Sequence, residues 1–172
     1  MILQPDQRIN VCVRALIFEH GQLLLTEWQD KACSFLIGGR VNFGEQLVDA
    51  LHREVQEEVG ATITEFRLVY FAETVFRTSA GRATHEYGWY FLVKLDRQIC
   101  QFGEMVPNPD DPALVIHHAP INKIGLANLF PHFLTHYLPT DYASQFSNTP
   151  RSIYQQVSQT GEITLRETEK LF

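Results

Sequence analysis

Long apolar runs, paired cysteines and an excess of basic charge are all missing from this 172-residue chain, and each absence removes a class of protein. No apolar stretch approaches the roughly 18 residues that would mark a membrane span, so no membrane partner is expected. Three cysteines, Cys12, Cys33 and Cys100, are widely spaced and odd in number, which argues against both a disulfide framework and a Cys-based zinc site and makes a reducing cytoplasm the expected compartment. Met1 to Arg8 lacks a basic segment followed by an apolar stretch and a small-residue cleavage site, so no secretory signal is expected. Lys and Arg number 14 against 20 Asp and Glu, a net charge of −6 that disfavours nonspecific binding to a nucleic acid duplex. A polyanionic substrate would then need a local arrangement of metal or Arg. There is no internal repeat, no Gly-x-Ser-x-Gly elbow, and no P-loop or dinucleotide pattern, which leaves covalent hydrolase, ATPase and dehydrogenase readings without support.

What is present is the material of one globular domain, with 45% of residues hydrophobic and 20% charged. Arg8 to Phe18 is rich in β-branched and apolar types, His20-Gly21 supplies a turn, and Gln22 to Trp28 follows with three consecutive leucines, which predicts a β-hairpin. Ser34 to Ile37 reads as a short strand running into Gly38-Gly39, and Glu45 to Val59 carries helical periodicity that stops at Gly60. Leu68 to Phe76 and Glu86 to Leu95 predict a second hairpin across the polar Thr78 to Thr84. Asn108-Pro109-Asp110-Asp111-Pro112 marks a loop, Leu114 to His118 a further strand, and Pro131 to Leu138 a short helix with proline at its start. Beyond Pro139 the composition turns to Ser, Thr, Gln and charged residues, with scattered hydrophobes such as Tyr142, Phe146, Ile153 and Tyr154. The expected organisation is one domain over residues 1–138 and a loosely packed polar extension over 139–172, with a short helix around Ser152 to Val157.

The chemistry concentrates in Gly39-Arg40-Val41-Asn42-Phe43-Gly44-Glu45 and, after seven residues, Arg53-Glu54-Val55-Gln56-Glu57-Glu58-Val59-Gly60-Ala61. At about 100° per residue, Val48, Leu51, Val55 and Val59 form one apolar stripe and Glu54, Glu57 and Glu58 cluster on a different face. Like charges at i, i+3 and i, i+4 cost a helix about 0.2–0.5 kcal/mol per pair. Gly60 reads as the residue just past the helix end, where the macrodipole favours cations by roughly 0.3–1 kcal/mol, so three glutamates there call for something positive. A hard divalent cation with oxygen ligands, Mg²⁺ or Mn²⁺, turns the repulsion into coordination. Arg53 and Glu57, at i and i+4, can also pair. An arbitrary acidic helix face is ordinarily just solvated; here Gly38, Gly39 and Gly44 permit a tight loop whose backbone approaches a phosphate, and Glu45 opens the helix where a carboxylate is favoured.

Gly39, Glu45, Arg53, Glu54, Val55, Glu57, Glu58 and Gly60 fit every fixed position of the Nudix box, and on these residues the chain resembles the Nudix hydrolase family. The resemblance implies an α/β fold, an α/β/α sandwich with a mixed β-sheet, in which the box binds Mg²⁺ and a pyrophosphate. It places the metal-binding glutamates on Glu54, Glu57 and Glu58, with Glu45 and Arg53 in support. Ala61 stands where a larger aliphatic residue is usual and Ile37 where proline is common; neither departure removes a ligand.

Outside the box a looser similarity extends to about Leu138. Arg14 is a candidate for a substrate phosphate, since a guanidinium matches phosphate oxygens with a bidentate fork, or else a charge at a sheet edge. Gly39 is the second substrate-binding candidate, through the close approach of its backbone. Glu73 and Glu86 lie in strand-like runs where charge is disfavoured, so each is either an extra metal ligand, a base, or a solvent-facing position. Trp28, Phe35, Tyr70 and Phe76 could stack on a nucleobase, but aromatics in such runs more often belong to the core. His132 and His136, spaced i, i+4, have no third metal ligand, and His117-His118 has no identifiable partner.

The expected function is magnesium-dependent hydrolysis of a phosphoanhydride bond in a nucleoside diphosphate linked to another moiety or in a nucleoside triphosphate. Glu57, Arg53 and Glu54 are the expected catalytic residues and Glu73 or Glu86 alternative bases. The rival is a Nudix-fold module that senses a nucleotide or sugar-nucleotide without cleaving it. The particular substrate, the base, and whether the protein is a homodimer are left open by the sequence.

Overall fold

The computed structural model describes residues 6–30 and 33–168. Residues 1–5, where most of the signal-peptide reading falls, and the end of the expected extension, 169–172, lie outside the described residues. Strand β1 (Gln7–Glu19) turns through His20 and Gly21 into β2 (Gln22–Trp28). Both turn residues have positive φ, 51° and 73°, which matches the right-handed twist of a two-residue hairpin. The short β3 (Cys33–Phe35) pairs with β2, and the chain then passes beside the first half of β1, where the N–H groups of Val13 and Ala15 donate to the carbonyls of Gly39 and Ile37. Helix α1 (Leu47–Val59) follows and ends at Gly60, whose φ of 62° is the left-handed conformation expected of a terminating glycine. The second hairpin is longer than the apolar runs alone suggest, β4 (Ile63–Arg77) and β5 (Ala83–Leu95). β6 (Met105–Pro107), β7 (Leu114–Pro120), a 3₁₀ turn (Ile121–Leu126), α2 (Phe133–Ala143), β8 (Arg151–Val157) and β9 (Ile163–Thr168) complete the chain.

The strands form one mixed sheet in the order β6-β7-β2-β1-β5-β4-β8-β9, parallel between β1 and β5 and between β4 and β8. Helix α1 covers one face, setting Ala50, Leu51, Val55 and Val59 among Val13, Ala15, Ile17, Phe91 and Val93. Helix α2 covers the other, setting Phe133, Leu134 and Leu138 among Leu16, Leu23, Tyr70, Tyr90 and Ile153. This is the α/β/α sandwich, and each fully buried Leu, Val or Phe contributes about 1.5–3 kcal/mol. No described helix is long and apolar enough to cross a membrane.

The apolar stripe of α1 needs a correction. Leu51, Val55 and Val59 are buried, but Val48 is 37% exposed, while Ala50 and Glu58 are buried in its stead. The buried arc is centred near Leu51 and Glu58, about 60–80° round from Val48 at 100° per residue. One carboxylate therefore shares the core face instead of being separated from it.

The segment after Pro139 is the larger correction. Helix α2 continues through Pro139 to Ala143, and the expected helix around Ser152 to Val157 is instead β8, joined to β4 in register from Tyr70↔Arg151 to Val75↔Gln156. Phe146 and Ile153 are buried in the α2 core. A polar assembly fastens it: the fully buried Asp141 accepts Arg151 Nε and Nη2 at 2.8 and 2.7 Å and the Tyr70 hydroxyl at 3.0 Å, and Arg151 Nη1 reaches Glu167 at 2.8 Å. Polar composition here marks internal pairing, not loose packing.

Candidate active site

Helix α1 carries Arg53, Glu54, Glu57 and Glu58 in its last two turns, and the loop before it folds back against them. Gly38 sits at φ 127°, and a Cβ there would collide with the Val13 carbonyl oxygen. At Gly39 the missing side chain makes room for a carboxylate: a Cβ would lie 2.5 and 2.6 Å from the two oxygens of Glu54. Gly39→Ala is expected to leave the melting temperature almost unchanged, because what must move is the end of a flexible side chain. Turnover should fall by about 10–100-fold through the displaced Glu54 carboxylate. Parallel melting and kcat/KM measurements check this, and wild-type turnover would show the placement of Glu54 over Gly39 to be unimportant.

Glu58, 7% exposed, accepts the Gly38 N–H at 2.8 Å and Asn108 Nδ2 at 3.0 Å. Burial pushes its carboxyl up to about 7, opposed by the Gly38 N–H and Arg14 and reinforced by Glu54. Arg53 is the hub of the exposed side. Its Nε and Nη2 grip Glu45 at 2.7 and 2.9 Å, its Nη1 bridges Glu54 at 2.7 Å and Glu57 at 3.0 Å, and Nη2 also donates to the Arg40 carbonyl. Those bonds from Arg53 hold the Glu45 carboxyl down at about 2. Glu45 precedes the first helical residue, and its other contact is the Asn42 N–H at 2.8 Å, so it fixes the loop to Arg53. The positive charge demanded by the helix end is supplied in part by the chain: Arg97, beyond β5, donates to the carbonyls of Val59 and Gly60 at 3.3 and 2.6 Å.

Glu54 and Glu58 open onto a pocket of about 310 Å³ with Arg14, Thr26, Trp28, Phe35, Gly38, Asn108, Asp110, Asp111 and Leu114. Arg14 donates to the Gly38 carbonyl oxygen at the pocket wall. Trp28 and Phe35 are at the pocket, whereas Tyr70 is buried in the α2 core and Phe76 packs on Phe130. Glu86 lies on the Arg14 face of the sheet, buried, with Asn10 Nδ2 at 3.5 Å. Glu73 pairs with Tyr87 across the strands and so projects from the opposite face, where it meets His85 at 3.3 Å. The two glutamates cannot serve one site.

Asn108 is the site residue that sequence reasoning missed. Its loop was legible from Pro and Asp, but nothing local signals that its side chain turns inward, with Oδ1 taking the N–H groups of Asp110 and Asp111 and Nδ2 directed at Glu58.

The donor set of Glu54, Glu57 and Glu58 is all carboxylate oxygen, which hard cations such as Mg²⁺ and Mn²⁺ accept. The shared opening of Glu54 and Glu58, with the Glu54 carboxylate seated over Gly39, fits such an ion.

The family model described as NUDIX domain matches residues 6–115. Among solved structures, the mutator MutT protein from Bacillus halodurans superposes with a TM-score of 0.70 at 13% identity, over 94% of this chain and 99% of that one. MutT from Aliivibrio salmonicida and Vibrio cholerae gives 0.53 at 22% identity over 80% and 99%, and a MutT NUDIX hydrolase from Burkholderia pseudomallei 0.51 at 18% over 67% and 85%. At these identities the likeness is one of fold. Comparison with curated proteins finds no match.

Proposed function

The chain belongs to the Nudix domain family, and from that premise we propose that it hydrolyses a phosphoanhydride bond, with Mg²⁺ or Mn²⁺, in a nucleoside diphosphate linked to another moiety or in a nucleoside triphosphate. The observation that carries this reading is the opening shared by Glu54, Glu58 and Arg14, where carboxylates for a cation face a guanidinium for a phosphate. A cation held by Glu54, Glu57 and Glu58 supplies charge neutralisation on the diphosphate and lowers the pKa of a water. The chain's own residues do the positioning. Arg14 pairs with a phosphate oxygen, Gly38 and Gly39 let the backbone come close, and Arg53 sets the carboxylates of Glu45, Glu54 and Glu57 at fixed angles. Glu57, oriented by Arg53 and the most exposed of the three helix glutamates, takes the proton from the attacking water; Glu86, beside Arg14, is the alternative base.

The test is release of phosphate or nucleotide from a panel of nucleoside diphosphate derivatives and triphosphates, with Mg²⁺, with Mn²⁺ and with chelator. Chelator-sensitive release from one substrate class is expected. Saturable ligand binding with no turnover anywhere on the panel would replace the hydrolase with a nucleotide or sugar-nucleotide sensor.

A further inference from the structure

The geometry points to a second cation site, of zinc's chemical class, held by Glu19, Cys100 and His118 and separate from the glutamates of α1. The three residues come from the end of β1, the loop after β5, and β7, and one ligand atom of each lies within 4.8 Å of the others. His118 Nε2 is 2.9 Å from Glu19 Oε2, and Cys100 Sγ is 3.7 and 3.8 Å from the two ring nitrogens of His118. With zinc–sulfur and zinc–nitrogen bonds of about 2.3 and 2.0–2.1 Å at a tetrahedral angle, sulfur and nitrogen stand about 3.5–3.6 Å apart, close to what the side chains already adopt. Glu19 is the partner that the sequence did not reveal for His118. Wide cysteine spacing concealed the site because only one of its ligands is a cysteine.

The surroundings favour a bound cation over the other use of a Cys, His and Glu together, a nucleophilic triad. Cys100 is 3% exposed, so its thiol is not presented to a substrate as a nucleophile must be. A cation would take this sulfur as thiolate and lie beside the part-buried carboxylate of Glu19. Glu19 is already oriented, since its Oε1 accepts the Ile99 N–H at 2.7 Å, the outer support that metal-binding carboxylates need. One sulfur, one imidazole and one carboxylate select zinc's class, whereas magnesium takes oxygen alone. The His20 ring stands edge-on to His118 with centroids 6.1 Å apart, and Glu19 and His20 border an opening of about 330 Å³. Occupied, the site ties the tip of the first hairpin to the loop after β5 and to β7.

Co²⁺ is the probe. Titrated into the whole protein with Mg²⁺ in large excess, one equivalent should develop a near-ultraviolet thiolate-to-cobalt band that Zn²⁺ then displaces. Cys100→Ser and His118→Asn, each checked by thermal melting, should lose the band, while Glu54→Gln keeps it. X-ray absorption of the zinc-loaded wild type, which needs no variant to fold, should show one sulfur at about 2.3 Å. No thiolate band, no sulfur in the zinc shell, a band that survives Cys100→Ser, or one abolished by Glu54→Gln would each overturn the site.

Discussion

Glu58→Gln is expected to lower chelator-sensitive turnover by about 100-fold or more while making the cation-free protein more stable above pH 7. The two effects share a cause. Glu58 is a buried carboxyl whose folded form keeps its proton to about pH 7, above the ordinary value of 4.5. Between those values the folded state binds the extra proton, so folding stability conferred through this group is fully present below about pH 4.5 and is lost as pH rises through 7. At about 1.4 kcal/mol per pH unit, the ionised side chain costs the cation-free fold about 3 kcal/mol. Glutamine escapes that cost. It still accepts from the Gly38 N–H but loses Asn108, whose Oδ1 is engaged by Asp110 and Asp111 and cannot turn to accept, at about 1 kcal/mol. In the wild type a cation must displace the proton, so its affinity should weaken about tenfold for each pH unit below 7, and in Glu58→Gln that dependence should flatten. Calorimetric Mn²⁺ titrations between pH 5.5 and 8, paired with melts in chelator, read both effects. Unchanged turnover in Glu58→Gln would remove it from the machinery. In the same assay Glu86→Gln tests the alternative base, since loss of a base that holds no cation lowers kcat with cation affinity intact.

Arg151→Ala is expected to cost about 3–5 kcal/mol, because it strips the counter-charge from a carboxylate with no exposed surface. Asp141 would keep only the Tyr70 hydroxyl of its three side-chain bonds. At about 2–4 °C per kcal/mol for a chain of this size, the melting temperature should fall by roughly 6–20 °C. Replacing both partners, Asp141→Asn with Arg151→Met, should recover part of the loss by leaving no unpaired charge behind. A drop under about 1 kcal/mol in Arg151→Ala would mean that the pair is as weak as a surface ion pair.

The elements legible in the sequence are those whose signals are local. His20-Gly21 has the turn chemistry of a hairpin, Gly60 ends α1, and Arg53 reaches Glu57 because i and i+4 are neighbours on any helix. Illegible were the residues whose meaning depends on a distant partner. Glu58 reads as one of three clustered carboxylates set apart from the core until Gly38 and Asn108 are beside it, and Asn108 reads as loop until Glu58 is. β8 carries Gln155 at a fully buried position, where its Oε1 accepts the Phe133 N–H at 2.7 Å, and a buried glutamine erases the polar–apolar alternation by which a strand is recognised. Asp141 misleads in the same way. Both Glu73 and Glu86 stand on strands as charged residues, but the parity of the pleat, visible only once register is known, sends them to opposite faces.

The order of the strands also determines how this sheet meets other molecules. Among the described residues the strand path ends at β6, three residues closing on Pro107, and at β9, six residues carrying Arg166 and Glu167. Brevity, proline and charge are the features that discourage a foreign strand from adding itself. Stripping away the segment after Leu138 would uncover the β4 backbone over Tyr70 to Val75, a stretch with Tyr, Phe and Val, the kind of edge to which another strand can add. The carboxy-terminal strands thus cover that part of the β4 edge and present a short, charged strand in its place.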